Sequence, residues 1–143
     1  MNNVNVNKND SIRIIKNFIK DLSFENLQNM NKSNVIDNKN SNLKFNMDVV
    51  YKTYDNIKFF SLLLRYTLDC TSRDDKRKLF VLELDYFGFF EILEDKNCDQ
   101  EQLIKLGIKL LFPFVKELVE DITRKGGVVP VTLNEVDFNL IQN

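Results

Sequence analysis

Histidine is absent from all 143 residues. That one absence removes the commonest general base, the residue that orients a catalytic triad and the commonest neutral metal ligand. Acid–base work would fall to carboxylates or lysines. Glycine occurs only four times, which leaves no room for a GxGxxG fingerprint or a phosphate loop, and Gly126-Gly127 follows a helical pattern where a phosphate loop would precede one. Nucleotide binding is not expected. Of cysteine there are two residues, Cys70 and Cys98; far apart and without CxxC spacing, they read as reduced thiols and not as a metal site or a disulfide framework. Long apolar runs are also missing, since the best, Leu110 to Val115, is short and contains Pro113. Neither sign of charge dominates: 20 basic against 21 acidic side chains leave a formal charge of −1, which gives no reason to expect nucleic acid or an anionic membrane as partner. The opening MNNVNVNKND has no hydrophobic segment of a secretory signal, so the expected location is the cytoplasm.

What is present suffices for a core. The chain is 43% hydrophobic, and a single domain of this size, 1–143, buries roughly 68–70% of the surface its unfolded chain exposes. Residues 1–10 read as a disordered arm, and Asn26 to Asn42 as a long polar connection, because neither holds enough apolar surface to offset its ordering entropy. Between them, Ser11 to Phe24 fits two patterns equally. Ile12, Ile15, Ile19 and Leu22 recur at helical spacing, while Ile12, Ile14, Phe18, Leu22 and Phe24 share one face of a strand, interrupted by Lys16 and Lys20.

Three further segments alternate cleanly and predict strands with one buried face: Leu43, Phe45, Met47 and Val49; Phe60, Leu62, Leu64, Tyr66 and Leu68; and Phe80, Leu82, Leu84, Tyr86, Phe90 and Ile92. The polar turn SRDDKRK joins the last two as an antiparallel hairpin. After Asp99, an N-cap with Gln102 three residues on, Ile104, Ile108, Leu111, Val115, Leu118 and Ile122 predict a helix. Arg124 and Lys125 suit its negative end, Gly126-Gly127 a left-handed cap, and Pro113 should bend or restart it. The tail VTLNEVDFNLIQN is at most a short closing helix. A second apolar stripe, Leu103, Leu106, Leu110 and Phe114, exceeds what one sheet requires. Either the core is deep, or the helix lies between its own sheet and a second protomer.

No catalytic residue emerges. Asp74-Asp75 and Glu94-Asp95 flank turn or cap positions and read as solvated charges. The outward face of the third clear strand is more informative: Val81, Glu83, Asp85, Phe87, Phe89 and Glu91 mix carboxylates with rings where solvent is expected. That composition suits a protein-binding face, with an ordinary two-sided strand as the alternative. In FIKDLSFEN, a strand puts Asp21, Ser23 and Glu25 on one side, with its outer carboxylates about 13 Å apart.

These pieces in order resemble the SecB family of protein-export chaperones, from about Phe18 to Leu140. FIKDLSFEN looks like the family's opening motif YxKDxSFEN. KLFVLELDYFGFFEI looks like its central strand, with Glu83 and Gly88 in place, and LFPFVKELVEDITRKGGVVPVTLNEVDF looks like its closing helix, glycine, proline and VxF ending. The resemblance implies an α+β fold, a four-stranded antiparallel sheet with helices on one face, assembled as a homotetramer, a dimer of dimers. It makes Ser11 to Glu25 a strand. It implies an ATP-independent holdase, with no cofactor, metal or catalytic residue, that keeps unfolded preproteins in hydrophobic grooves and passes them to the SecA translocation ATPase. Carried over residue by residue, the SecA contact falls on Asp21, Glu25, Val81 and Glu83, and the layer joining dimers on Leu82, Leu84 and Tyr86. Phe59, Phe87, Phe89 and Phe112 are candidates for lining the preprotein groove, as aromatics near sheet edges or crossovers.

The chain departs from the family pattern in two places. It stops at Asn143, where a shortened second helix and acidic tail, a second SecA contact, are expected, and the Asn-rich connection lacks the aromatics and prolines often found there. Two other readings stay open: a SecB-like chaperone dedicated to one client such as an antitoxin, and a small ligand-binding or catalytic protein using Glu83 or Asp85. The latter requires a closed pocket with convergent polar groups and a perturbed carboxylate.

Overall fold

The computed structural model describes residues 11–28, 41–56, 58–93 and 99–134. Four strands, β1 (Ile12–Asn26), β2 (Ser41–Tyr54), β3 (Phe59–Ser72) and β4 (Lys78–Ile92), form one antiparallel sheet in the order β1-β4-β3-β2. One long helix, α1 (Gln100–Lys125), crosses one face over β1, β4 and β3. This is the sheet-and-helix arrangement the sequence implies. The expected arm at 1–10 and residues 29–40 of the polar connection lie outside the described residues; the connection's ends do not, and Asn26, Ser41 and Asn42 are strand.

The central strands follow their alternation. Phe60, Leu62, Leu64, Tyr66 and Leu68 of β3 and Phe80, Leu82, Leu84, Tyr86 and Phe90 of β4 all turn toward the helix and are buried. Leu103, Ile108, Leu111, Val115 and Val119 meet them from α1. At roughly 25 cal/mol per Å² of apolar surface removed from water, this contiguous layer supplies most of the driving force for folding. Gly107 and Gly88 set how closely the layers approach: a Cβ at Gly107 would lie 2.4 Å from Leu62 Cδ1, and one at Gly88 2.8 Å from Leu111 Cδ1.

The ambiguous first segment is a strand, but not a regular one. Register shifts fall between Ile14 and Lys16 and between Ile19 and Asp21. Each inserts a residue, so the helix-facing set becomes Ile12, Ile14, Asn17, Ile19, Leu22 and Phe24. Phe18, expected on the same face as Ile12, is thereby turned to the opposite face and pairs with Phe87. Spacings of two and three residues in alternation explain why the stretch also mimicked a helix.

Helix α1 starts at the expected cap, with the Asp99 carboxylate accepting from Gln102 N at 2.8 Å. It runs unbroken through Pro113, with no restart. The proline deprives the Lys109 carbonyl of its donor, yet its ring faces solvent while Leu111, Phe112 and Val115 on either side are buried. Packing of both half-helices on one sheet outweighs the lost bond. At the far end Gly126 remains right-handed (φ −75°) and Gly127 takes the left-handed conformation (φ 79°). Residues 128–134 then fold back as an irregular strap: Val128, Val131 and Leu133 are buried, and buried Thr123 Oγ1 accepts from Val131 N at 2.9 Å. No helix appears in 131–134, and the rest of the expected closing helix lies outside the described residues.

Candidate functional site

The face of the sheet turned away from α1 carries the side chains singled out from the sequence. Because directly opposed residues share a face, the registers place them in rows across β1, β4, β3 and β2. From one end of the sheet these are Arg13-Glu91-Phe59-Tyr54, Lys16-Phe89-Ser61-Lys52, Phe18-Phe87-Leu63-Val50, Asp21-Asp85-Arg65-Asp48, Ser23-Glu83-Thr67-Asn46 and Glu25-Val81-Asp69-Lys44. The face is divided into an aromatic half and an acidic half.

In the acidic half Asp21, Glu25 and Glu83 are exposed and Val81 is half-buried, so all four residues assigned to a motor contact stand on one outward surface. Asp21 lies opposite Asp85, a like-charge pair relieved by Arg65, whose Nε is 3.8 Å from Asp85 Oδ2. The Asp21 carboxylate also accepts from Leu22 N at 2.9 Å. No counter-ion occupies Asp21, Glu25 or Glu83 among the described residues, which leaves their field open to a basic partner.

In the aromatic half, Phe18 and Phe87 have ring centroids 5.0 Å apart, Phe59 stacks on Phe89 at 5.5 Å, and Tyr54 meets Phe89 edge-on at 5.5 Å. Phe18 is 39% exposed and Val50 49% exposed. Of the four groove candidates, Phe59, Phe87 and Phe89 are brought together here. Phe112 is not: it is buried on the opposite side, in α1.

Leu82, Leu84 and Tyr86 point toward α1 and are already covered within the single chain. The Tyr86 hydroxyl accepts from Asn17 Nδ2 at 2.6 Å, and its ring lies 6.3 Å from that of Phe114. Phe114 and Leu110 on the helix, with Ile19 and Leu22 on β1, form an apolar surface on this side that stays open to solvent.

Sequence reasoning missed one feature. Because α1 lies over β1, β4 and β3, the inner row of β2 is incompletely covered: Leu43 is exposed and Phe45, Val49 and Tyr51 are half-buried. Between β2 and the first turns of the helix lies an open trough of about 510 Å³, lined by Met47, Val49, Ile104 and Ile108 together with the polar Asp48, Gln100, Glu101 and Lys105. The alternation Leu43-Phe45-Met47-Val49 was visible, but it reads as core until the helix position is known.

Among the described residues no group of three or more Cys, Asp and Glu side chains could hold a metal ion, and no helix is long and apolar enough to cross a membrane. Burial raises the pKa of the Cys70 thiol and of the Tyr86 and Tyr51 hydroxyls, each a core or half-core group.

Residues 5–142 match the family described as SecB, preprotein translocase subunit SecB. The chain is 33% identical over 131 residues to the protein-export protein SecB of Ruegeria pomeroyi, covering 89% of this chain and 76% of that one. It is 33% identical over 144 residues to the SecB of Bartonella bacilliformis, covering 94% and 82%. In three dimensions it is similar to a SecB-like chaperone of Mycobacterium tuberculosis solved with a ChAD peptide from an antitoxin, with a TM-score of 0.68 over 87% of this chain and 89% of that one. At 13% identity that likeness is one of fold.

Proposed function

Since the chain belongs to the SecB family of protein-export chaperones, we propose that it is an ATP-independent holdase, binding unfolded preproteins on apolar surface and delivering them to SecA. The observation that carries this reading is the open apolar trough between β2 and α1. A holdase must bind many sequences weakly, which calls for accessible aliphatic, methionine and aromatic side chains and not for a closed polar constellation. Half-exposed Val49 and Ile104 provide such a surface over a floor of buried Met47 and Ile108, and Phe59, Phe87 and Phe89 a second apolar area on the other face.

Delivery is assigned to Asp21, Glu25, Val81 and Glu83, whose fixed negative charge gives steering and register to a basic motor surface. Assembly as a dimer of dimers is assigned to the helix layer. Leu82, Leu84 and Tyr86 support α1 from beneath, and Leu110 and Phe114 with Ile19 and Leu22 offer the apolar surface a second pair of protomers would cover.

The test is aggregation of several unrelated unfolded preproteins with and without the purified protein, alongside SecA binding. Wild type should delay aggregation of all of them. Asp21→Lys with Glu83→Lys should weaken SecA binding at least about tenfold and leave that protection intact. Loss of both activities, or of neither, would undo the division of faces; protection of one client alone would point to a dedicated chaperone.

A further inference from the structure

The aromatic half of the outer face carries a charge pattern of its own. Lys16 on β1 and Lys52 on β2 occupy the two edges of one row, with Phe89 and Ser61 between them, and the adjacent row is wholly apolar: Phe18, Phe87, Leu63 and Val50. Lys16 Nζ lies 5.5 Å from the Phe18 ring centroid and Lys52 Nζ 5.2 Å from that of Tyr54, while Lys58 Nζ stands 5.6 Å from the Phe59 centroid. Their contacts are with rings, and none of the three makes an ion pair among the described residues. The carboxylate nearest in this half, Glu91, is held by Arg13, whose Nε donates to it at 2.8 Å. Asp55 lies in the β2–β3 turn, and Asp21 and Asp48 lie beyond the apolar row. The result is a strip of rings and aliphatic groups with an uncommitted cation at each edge.

We propose that this strip docks an extended apolar segment of a client bracketed by carboxylates, lying across the four strands with one acid toward Lys16 and the other toward Lys52. The inference rests on the chaperone reading and names the class of segment this face prefers. Charge complementarity and spacing both favour it. Three inter-strand steps separate the two lysines, about 14 Å, and an extended chain covers about 13 Å in four residues. Carboxylates four residues apart therefore reach both edges while the residues between them cover Phe87, Phe89 and Leu63. A lysine already seated over a ring keeps its cation–π contact while pairing with an incoming acid, so little further ordering is needed.

Three labelled extended peptides test this with the full-length protein: a Phe-Leu-Phe centre flanked by two glutamates, by two glutamines or by two lysines. Fluorescence anisotropy at low salt should rank them Glu over Gln over Lys, with the outer members differing by roughly three- to tenfold and the gap closing in high salt. Lys16→Glu with Lys52→Glu should reverse the order, and Phe89→Ala should weaken all three. An absent or opposite preference, or one that survives the double charge reversal, overturns the proposal. So does a change in sedimentation caused by the charge reversal, which would assign the strip to contact with a second copy. If the protein protects unfolded preproteins and binds none of the peptides, this inference fails while the holdase function stands; if it does neither, the holdase function itself fails.

Discussion

Single side chains decide how tightly the helix can sit. Gly107 lies over Leu62, which is fully buried and has nowhere to move, so the added methyl of Gly107→Ala meets a wall at 2.4 Å. Alanine would gain up to about 1 kcal/mol of helix propensity, but overpacking costs about 1–3 kcal/mol. The net expectation is a lower urea midpoint. Thr123 is a different case. Its hydroxyl is reached by Val131 N and itself approaches Val119 O at 2.7 Å. Thr123→Val keeps the shape and leaves that amide without an acceptor, so about 1–3 kcal/mol should be lost, with faster hydrogen exchange at Val131 as the local sign. Titration is also a residue-scale property here. The Cys70 thiol, ordinarily ionising near 9.0, and the Tyr86 and Tyr51 hydroxyls, near 10.0, are raised by burial in the folded chain. The unfolded chain then releases these protons first, so stability is complete below about pH 9 and falls as pH rises past these values. Urea midpoints measured from pH 7 to 11 should decline on the alkaline side, with Cys70→Ser removing the earliest part.

At the scale of the element, α1 and β1 each depart from their ideal forms for identifiable reasons. Pro113 sits mid-helix with its ring in solvent, so Pro113→Ala restores a donor to the Lys109 carbonyl without disturbing the buried stripe. It should raise stability by up to about 3 kcal/mol, read as a higher urea midpoint. In β1 the first bulge sends Phe18 outward and brings Ile19 inward, and the second restores Leu22 and Phe24 to the face of Ile12. No periodicity scan of one strand reveals them, because a bulge is set by the register with the neighbouring strand. The cap at Asp99, the basic last turn and the glycine stop of α1 were legible, since caps are local chemistry; only the identity of the left-handed residue, Gly127, needed coordinates.

For the whole molecule, the consequence is a division of labour between faces. A charge at Leu84 enters a core that is closed within the single chain, so Leu84→Asp should unfold the protomer, while Phe114→Asp, at a position 41% exposed, should preserve the fold and lower the assembly state in sedimentation. Partition of the two variants between unfolding and dissociation measures which apolar surface belongs to the protomer and which to its assembly. The sequence by itself determined the alternating strands, the capped helix and the outward placement of Asp21, Glu25 and Glu83. These depend on period, composition and local hydrogen bonding, which the chain carries residue by residue. Only the tertiary structure decided that Phe112 is core while Phe18 joins Phe87, that β2 is left half-covered, and that Lys16 and Lys52 bracket one strip of rings. Each depends on strand order and helix placement, and those arise from packing between segments far apart in the chain.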